Sequence, residues 1–217
     1  MHENDNFIEV PFESRHQCWF CAEPAASHFT FPHQYHLVFN CQHPTLTVPS
    51  CSECVNAALK AKVRNIWQVD QYVKKFLIKK YRKDLAIGLN WTQEELANSG
   101  FEGGSFAGFQ KSAWFMYEVA KERVSFRGWP LVVDGIEIEK DDGSDSFKFD
   151  GVCYPSIEEA IDHYSENFRL DAMFLRQVLA KIGIGKFAQA VRICRLYIGA
   201  TPDEKSRALR DFESKLI

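Results

Sequence analysis

Two Cys-x-x-Cys pairs constrain this chain more than any other feature: Cys18-Trp19-Phe20-Cys21, and Cys51-Ser52-Glu53-Cys54, which begins thirty positions after Cys21. Each pair sets two thiols on one tight turn. Such a turn serves as a redox dithiol, as half of a metal site, or as two buried thiols with an accidental spacing. A redox dithiol of the thioredoxin kind follows a strand in a βαβ context, and no such context surrounds either pair here. The second pair stands directly before a stretch of helical periodicity, so the amides of a helix N-terminus would favour its thiolates. Four thiolates on two such turns, brought together by a hairpin, complete a tetrahedral zinc site. Cys18, Cys21, Cys51 and Cys54 are therefore expected to hold a structural zinc ion. A closed four-ligand site has no open position for chemistry, so any reaction would fall to neighbouring residues.

The remaining cysteines fit a reducing compartment. Seven is an odd number, whereas secreted disulfide scaffolds carry an even set along a short chain. Cys153 and Cys194 sit among apolar residues and read as small buried hydrophobes, while Cys41 has no clear assignment. The start, MHENDNFIEV, has neither a basic nor an apolar leader region, and no apolar run approaches a membrane span. A soluble, cytoplasmic protein with no membrane partner is expected. At 217 residues, 46% hydrophobic, the chain can bury a substantial core, one rich in its 18 phenylalanines.

Charge is segregated along the sequence. The net charge of -3 argues mildly against nucleic-acid binding, yet from Lys60 to Lys83 the bases face only Asp70 among acids. Residues 102–166 are acidic and the chain turns basic again after Arg169.

The expected fold class is α+β, with five segments. Residues 1–15 form an arm, and 16–65 form a zinc module with strands at HFTF, YHLVF and TLTV. A helical region follows over 66–128, a small antiparallel β-meander over 129–155, and a C-terminal helical region over 156–217. Apolar positions at three- and four-residue spacing from Asn56 to about Arg82 predict one long basic amphipathic helix, broken once near Trp67. FEGGSFAGF reads as a glycine-rich loop before a helix. The Asp134-Gly135, Asp142-Gly143 and Asp150-Gly151 pairs read as hairpin turns. Thr92 with Glu95, Ser156 with Glu159, and Thr201 with Glu204 read as capping boxes.

The stretch from CWFCAEPAASHFTFP to TLTVPSCSECVNAALKAKVR resembles the zinc-stabilised members of the HNH endonuclease family. These run Cys-x-x-Cys, a strand with a histidine, a loop, then Cys-x-x-Cys leading into a helix, in a treble-clef arrangement. The resemblance covers residues 16–65. It implies that His28 would be the general base activating water against a phosphodiester, with Mg or another divalent cation neutralising the phosphate. The pattern departs from the family at Ser27, where an acidic residue is usual, and in NAALKAKVRN, which lacks the helix histidine. His33, His36 and His43, with Cys41, could supply a non-standard second metal cluster beside His28; His33 and His36 are also compatible with ordinary loop positions.

Residues 149–183 are similar to small DNA-binding modules found beside nuclease domains in homing endonucleases. That resemblance implies a helix-turn-helix whose second helix presents Arg169, Arg176, Gln177 and Lys181 to a groove. The expected nucleic-acid contacts are Lys60, Lys62, Arg64, Lys74, Lys75, Arg176 and Lys181. The leading expectation is a zinc-stabilised, DNA-binding protein that would be a metal-dependent endonuclease if active. The alternative is a non-catalytic protein whose zinc is only a staple and whose acidic, aromatic body binds a protein partner.

Overall fold

The computed structural model describes residues 8–33, 41, 43–98, 104–140 and 146–214. The chain divides into two compact units, Met1–Pro155 and Ser156–Ile217. The three segments expected over 16–155 thus fall inside one unit.

In the first unit the N-terminal knuckle is a tight turn in which the Cys18 carbonyl accepts from the amides of Cys21 (3.2 Å) and Ala22 (2.9 Å). Strand β1 (Ser27–Phe31) pairs antiparallel with β2 (Leu46–Ser50), Phe29 opposite Val48 and Phe31 opposite Leu46. The alternation of β1 turns Phe29 and Phe31 inward and leaves His28 outside. Each buried phenylalanine contributes about 2–3 kcal/mol from area removed from water. Helix α1 (Ser52–Ala58) follows at once, with Cys51 as its N-cap.

The basic helix expected over 56–82, with one break near Trp67, is interrupted earlier than that. α1 stops at Ala58, its end tightened by Lys60 and Ala61 amides reaching back three residues to Ala57 and Ala58. The chain restarts as α2 (Ile66–Lys80) because Asn65 caps it, its Oδ1 accepting from the Gln68 amide at 2.8 Å. A buried histidine supplies a second cap: His43 Nε2 accepts from the Ile66 amide at 3.0 Å. The break therefore lies at residues 59–65, ahead of Trp67. Ile66, Val69, Val73 and Leu77 line the buried face of α2 at the spacing of a single helical stripe.

Helix α3 (Arg82–Asn90) and short α4 (Gln93–Ala97) come next, α4 opened by the Thr92–Glu95 capping box. Helix α5 (Gly104–Ser125) packs on α2, α3 and α4. It begins inside the stretch expected to be a glycine-rich loop, FEGGSFAGF, so all of GSFAGF is helical. Gly88 is where α3 meets α5, and an added Cβ there would enter the Tyr117 ring. The expected β-meander is two separate two-stranded hairpins: β3 (Val132–Val133) with β4 (Ile136–Glu137), and β5 (Phe147–Phe149) with β6 (Val152–Tyr154). Both turn on Asp-Gly pairs with positive φ at each residue (Asp134 51°, Gly135 76°; Asp150 52°, Gly151 75°), as the tight primed turns require. The Asp142-Gly143 turn and the strand read at YHLVF lie outside the described residues.

The second unit is helical: α6 (Ile157–Phe168), α7 (Ala172–Ile182), α8 (Phe187–Leu196) and α9 (Pro202–Ser214). Ser156 caps α6, Asp171 caps α7, and Thr201 with Glu204 forms the reciprocal box on α9. The turn from α6 to α7 is three residues long, with Arg169 in the left-handed conformation (φ 55°). α7 packs against α6, α8 and α9 through Phe174, Leu175, Val178 and Leu179. No helix among the described residues is long and apolar enough to cross a membrane.

Candidate metal centre

The two knuckles converge because the strands carry them there. The Trp19 amide donates to the Pro49 carbonyl (2.9 Å), the Ala26 amide to the Ser50 carbonyl (3.2 Å), and the Trp19 indole to the Trp129 carbonyl (2.9 Å). First knuckle and end of β2 are thereby stitched side by side. The four sulfur atoms of Cys18, Cys21, Cys51 and Cys54 all lie within 4.8 Å of one another, and all four residues are buried. None of the seven cysteines is in a disulfide.

The spacing suits a tetrahedral ion. With metal–sulfur bonds of about 2.3 Å, sulfurs at tetrahedral corners stand about 3.8 Å apart, and Cys21 Sγ lies 3.7 Å from Cys51 Sγ. The cluster could therefore hold a metal ion such as zinc. Left to themselves, four thiols this close resist joint ionisation. Cys18 and Cys54 are pushed up, chiefly by hydrogen bonds with the neighbouring thiols. Cys21 is brought down to about 7 and Cys51 further, because thiols that stay protonated donate to them. Cys51 also accepts the Cys54 amide at 3.5 Å. Only a cation at the centre lets all four be thiolates together.

A linked group of charged side chains reaches the sulfurs through Arg123. Arg123, from α5, donates through Nη2 to Cys21 Sγ at 3.6 Å. The same nitrogen contacts the Glu53 carboxylate, and Nη1 donates to the Tyr81 hydroxyl. Tyr81 in turn donates to Glu53 Oε2 at 3.0 Å, and Lys80 completes the grip on Glu53. Burial works against ionising Glu53, but hydrogen bonds from Lys80 and Arg123 outweigh it and hold its carboxyl below the usual range. Lys74 is wholly buried, its ammonium donating to the Phe20 carbonyl inside the first knuckle and to the Arg123 carbonyl at 3.0 Å.

Several expected site residues are placed differently. Lys74, expected on a phosphate-contacting face, is a buried tie between α2, α5 and the knuckle and is withdrawn from that set. Lys60, Lys62 and Arg64 are exposed, but in the connection between α1 and α2 rather than on a helix; Lys75 is exposed on α2. His28 is exposed on β1 and His33 half-buried beyond it, while His36 lies outside the described residues. His43 leaves the candidate second cluster: its Nδ1 faces the Pro44 carbonyl at 2.7 Å and its Nε2 lone pair is taken by the Ile66 amide. The Cys41 thiol donates to the His43 carbonyl at 3.4 Å. Among the described residues, the four cysteines are the one group of three or more His, Cys, Asp and Glu side chains close enough to share a metal. In the second unit, Arg176 is held by Glu158 (2.7 Å) and Asp162 (3.0 Å) on α6 rather than presented to a groove. Gln177 and Lys181 are exposed on α7, and Arg169 closes α6.

Sequence reasoning did not find Glu53, Lys74, Tyr81 and Arg123 as a shell, for the partners of Cys21 lie up to 102 positions away. Glu53 alone carried a local signal, standing between two ligands in Cys-Ser-Glu-Cys. Comparison with protein-family models, curated proteins and solved structures returns no match for this chain.

Proposed function

We propose that this chain is a zinc-stapled nucleic-acid-binding protein built on an HNH-like treble clef, the metal held by Cys18, Cys21, Cys51 and Cys54. One observation carries the reading: the chain leaves the second knuckle through Lys60, Lys62 and Arg64, all exposed, and continues with exposed Lys75, Lys79 and Lys83. Within that run the charges turned to solvent are basic. Exposed cations carried on one frame with the metal cluster attract phosphates, and each phosphate they neutralise releases condensed counterions.

Binding is the core of the proposal, and hydrolysis is its catalytic extension. In that extension His28, exposed on β1, takes a proton from water while Mg or another divalent cation neutralises the phosphate. The zinc itself, with four protein ligands, does no chemistry. The contrasting reading is a non-catalytic protein whose zinc staple supports a protein-binding surface.

Fluorescence anisotropy of a labelled DNA duplex across a salt series tests the binding. The logarithm of affinity should fall linearly with the logarithm of salt, and a Lys60→Ala, Lys62→Ala, Arg64→Ala triple variant should flatten that slope by about 2–3. Zinc-loaded protein that fails to bind at low salt would sink the proposal and leave the protein-binding reading. Plasmid nicking with Mg or Mn, compared between the native chain and His28→Ala, decides the catalytic extension.

A further inference from the structure

The shell around the sulfurs is more than a set of surface ion pairs. We propose that Arg123 is the positioning residue of the metal centre: aimed by Glu53 and Tyr81, it donates to the Cys21 thiolate and, with Lys74, supplies the counter-charge of a zinc tetrathiolate. This rests on the reading of the four cysteines as a zinc site. It adds an assignment for Arg123, which no ligand motif contains.

Charge is the first argument. Zinc with four thiolates carries a net charge of minus two, and burying it without compensation is costly. Two buried basic side chains are at hand: Arg123, 3.6 Å from Cys21 Sγ, and Lys74, bonded to the Phe20 carbonyl of the same knuckle, where burial works against its charge and Asp70, Cys21 and Cys54 favour it. The carboxylate that aims Arg123 is itself matched by Lys80.

Geometry is the second argument. A Glu53–Arg123 ion pair needs no sulfur, yet the guanidinium is turned so that the nitrogen meeting Glu53 also meets Cys21. A neutral thiol is a weak acceptor, whereas a metal-bound thiolate accepts a charge-assisted bond. The Arg123 guanidinium lies over the Tyr81 ring, its central carbon 4.8 Å from the ring centroid, which fixes the plane of the fork. Glu53 belongs to the second knuckle and Cys21 to the first, so Arg123 joins the two knuckles from outside the ligand set.

The chemical consequence is a quieter thiolate. A hydrogen bond to sulfur withdraws electron density, slowing attack by Cys21 on electrophiles and the loss of zinc that follows. Partners of this kind around metal ligands change metal affinity about 10–100-fold when removed.

The test uses the full chain and begins with zinc content by elemental analysis. One zinc per chain is expected; none would overturn the zinc reading on which the assignment rests. Zinc affinity is then measured by chelator competition, and the sulfur-to-cobalt charge-transfer bands are recorded after Co(II) substitution. Arg123→Gln should weaken zinc binding about tenfold and move the cobalt bands to lower energy, since the sulfur lone pairs lose a donor. Arg123→Lys should restore part of the affinity by keeping the charge. Glu53→Gln, which leaves Arg123 in place but unaimed, should shift the bands in the same direction and serves if Arg123→Gln does not fold. Affinity within twofold of the native chain and unmoved bands in the folded variants would reduce Arg123 to an ordinary ion pair and overturn the assignment.

Discussion

Removal of the metal should unfold the part of the chain that the cysteines hold. The β1–β2 sheet has two strands of five residues, and α1 has seven residues. Two-stranded sheets and helices this short are marginal alone. They are joined to each other and to α2 and α5 at the cluster, where Phe20, Phe29, Phe31, Leu46 and Ala58 are essentially without exposure. Structural zinc contributes about 10–16 kcal/mol in small zinc-dependent folds at neutral pH. Whole domains are stable by only about 5–15 kcal/mol. The loss thus matches or exceeds what the remaining contacts of this region can supply. All five tryptophans precede Pro155, so their emission reports the first unit alone. Trp19, Trp67 and Trp129 are at most 8% exposed and should shift to the red as water reaches them. Titration with a zinc chelator while recording emission and thermal melting should give that shift together with loss of the melting transition, and Cys54→Ser should reproduce it. A chelated protein, verified metal-free, that keeps the native emission and melting temperature would refute the reasoning.

Two further outcomes follow from packing and protonation. His43 is held neutral, its pKa lowered from the ordinary value of about 6.5 by burial. The folded state therefore binds fewer protons than the unfolded one, and the stability His43 contributes is present above about 6.5 and lost as pH falls through its lowered value. Urea midpoints at pH 7.5 and 5.5 should drop more for the native chain than for His43→Phe; an equal drop would contradict this role, since the acid sensitivity of the thiolates is common to both. Gly88→Ala places a methyl group in the buried Tyr117 ring and should lower the melting temperature, an overpacking cost of about 1–3 kcal/mol exceeding the roughly 1 kcal/mol that alanine gains in a helix. Gly108→Ala on α5 meets nothing within 4 Å and should raise it, so equal shifts in both variants would argue against the α3–α5 contact.

The locally encoded parts of this structure could be read from the chain. The Cys-x-x-Cys knuckles, the Thr92 and Thr201 caps and the turns at Asp134-Gly135 and Asp150-Gly151 each depend on residues a few positions apart. What escaped depends on tertiary partners. Lys74 has the sequence appearance of a helix-face lysine, and only the Phe20 and Arg123 carbonyls make it a core residue. The break expected near Trp67 falls at residues 59–65 instead, because His43 and the Asn65 side chain decide where the second helix starts and neither shows in the apolar spacing. GSFAGF looked like a loop by glycine content, yet α5 runs through it from Gly104. His28, by contrast, was placed correctly on a strand, and what it faces beyond that strand is not encoded near it.

The distance along the chain between Cys54 and Arg123 also orders events during synthesis. The ligand set is complete once Cys54 has emerged from the ribosome, whereas its charged cover arrives with α5, sixty-nine residues later. At about 5–20 residues per second, that interval lasts roughly 3–14 s. During it the nascent knuckles are open to metal donors and to oxidants alike. Arrival of α5 brings Arg123 to Cys21, so any metal the knuckles take up before then is taken up without that contact.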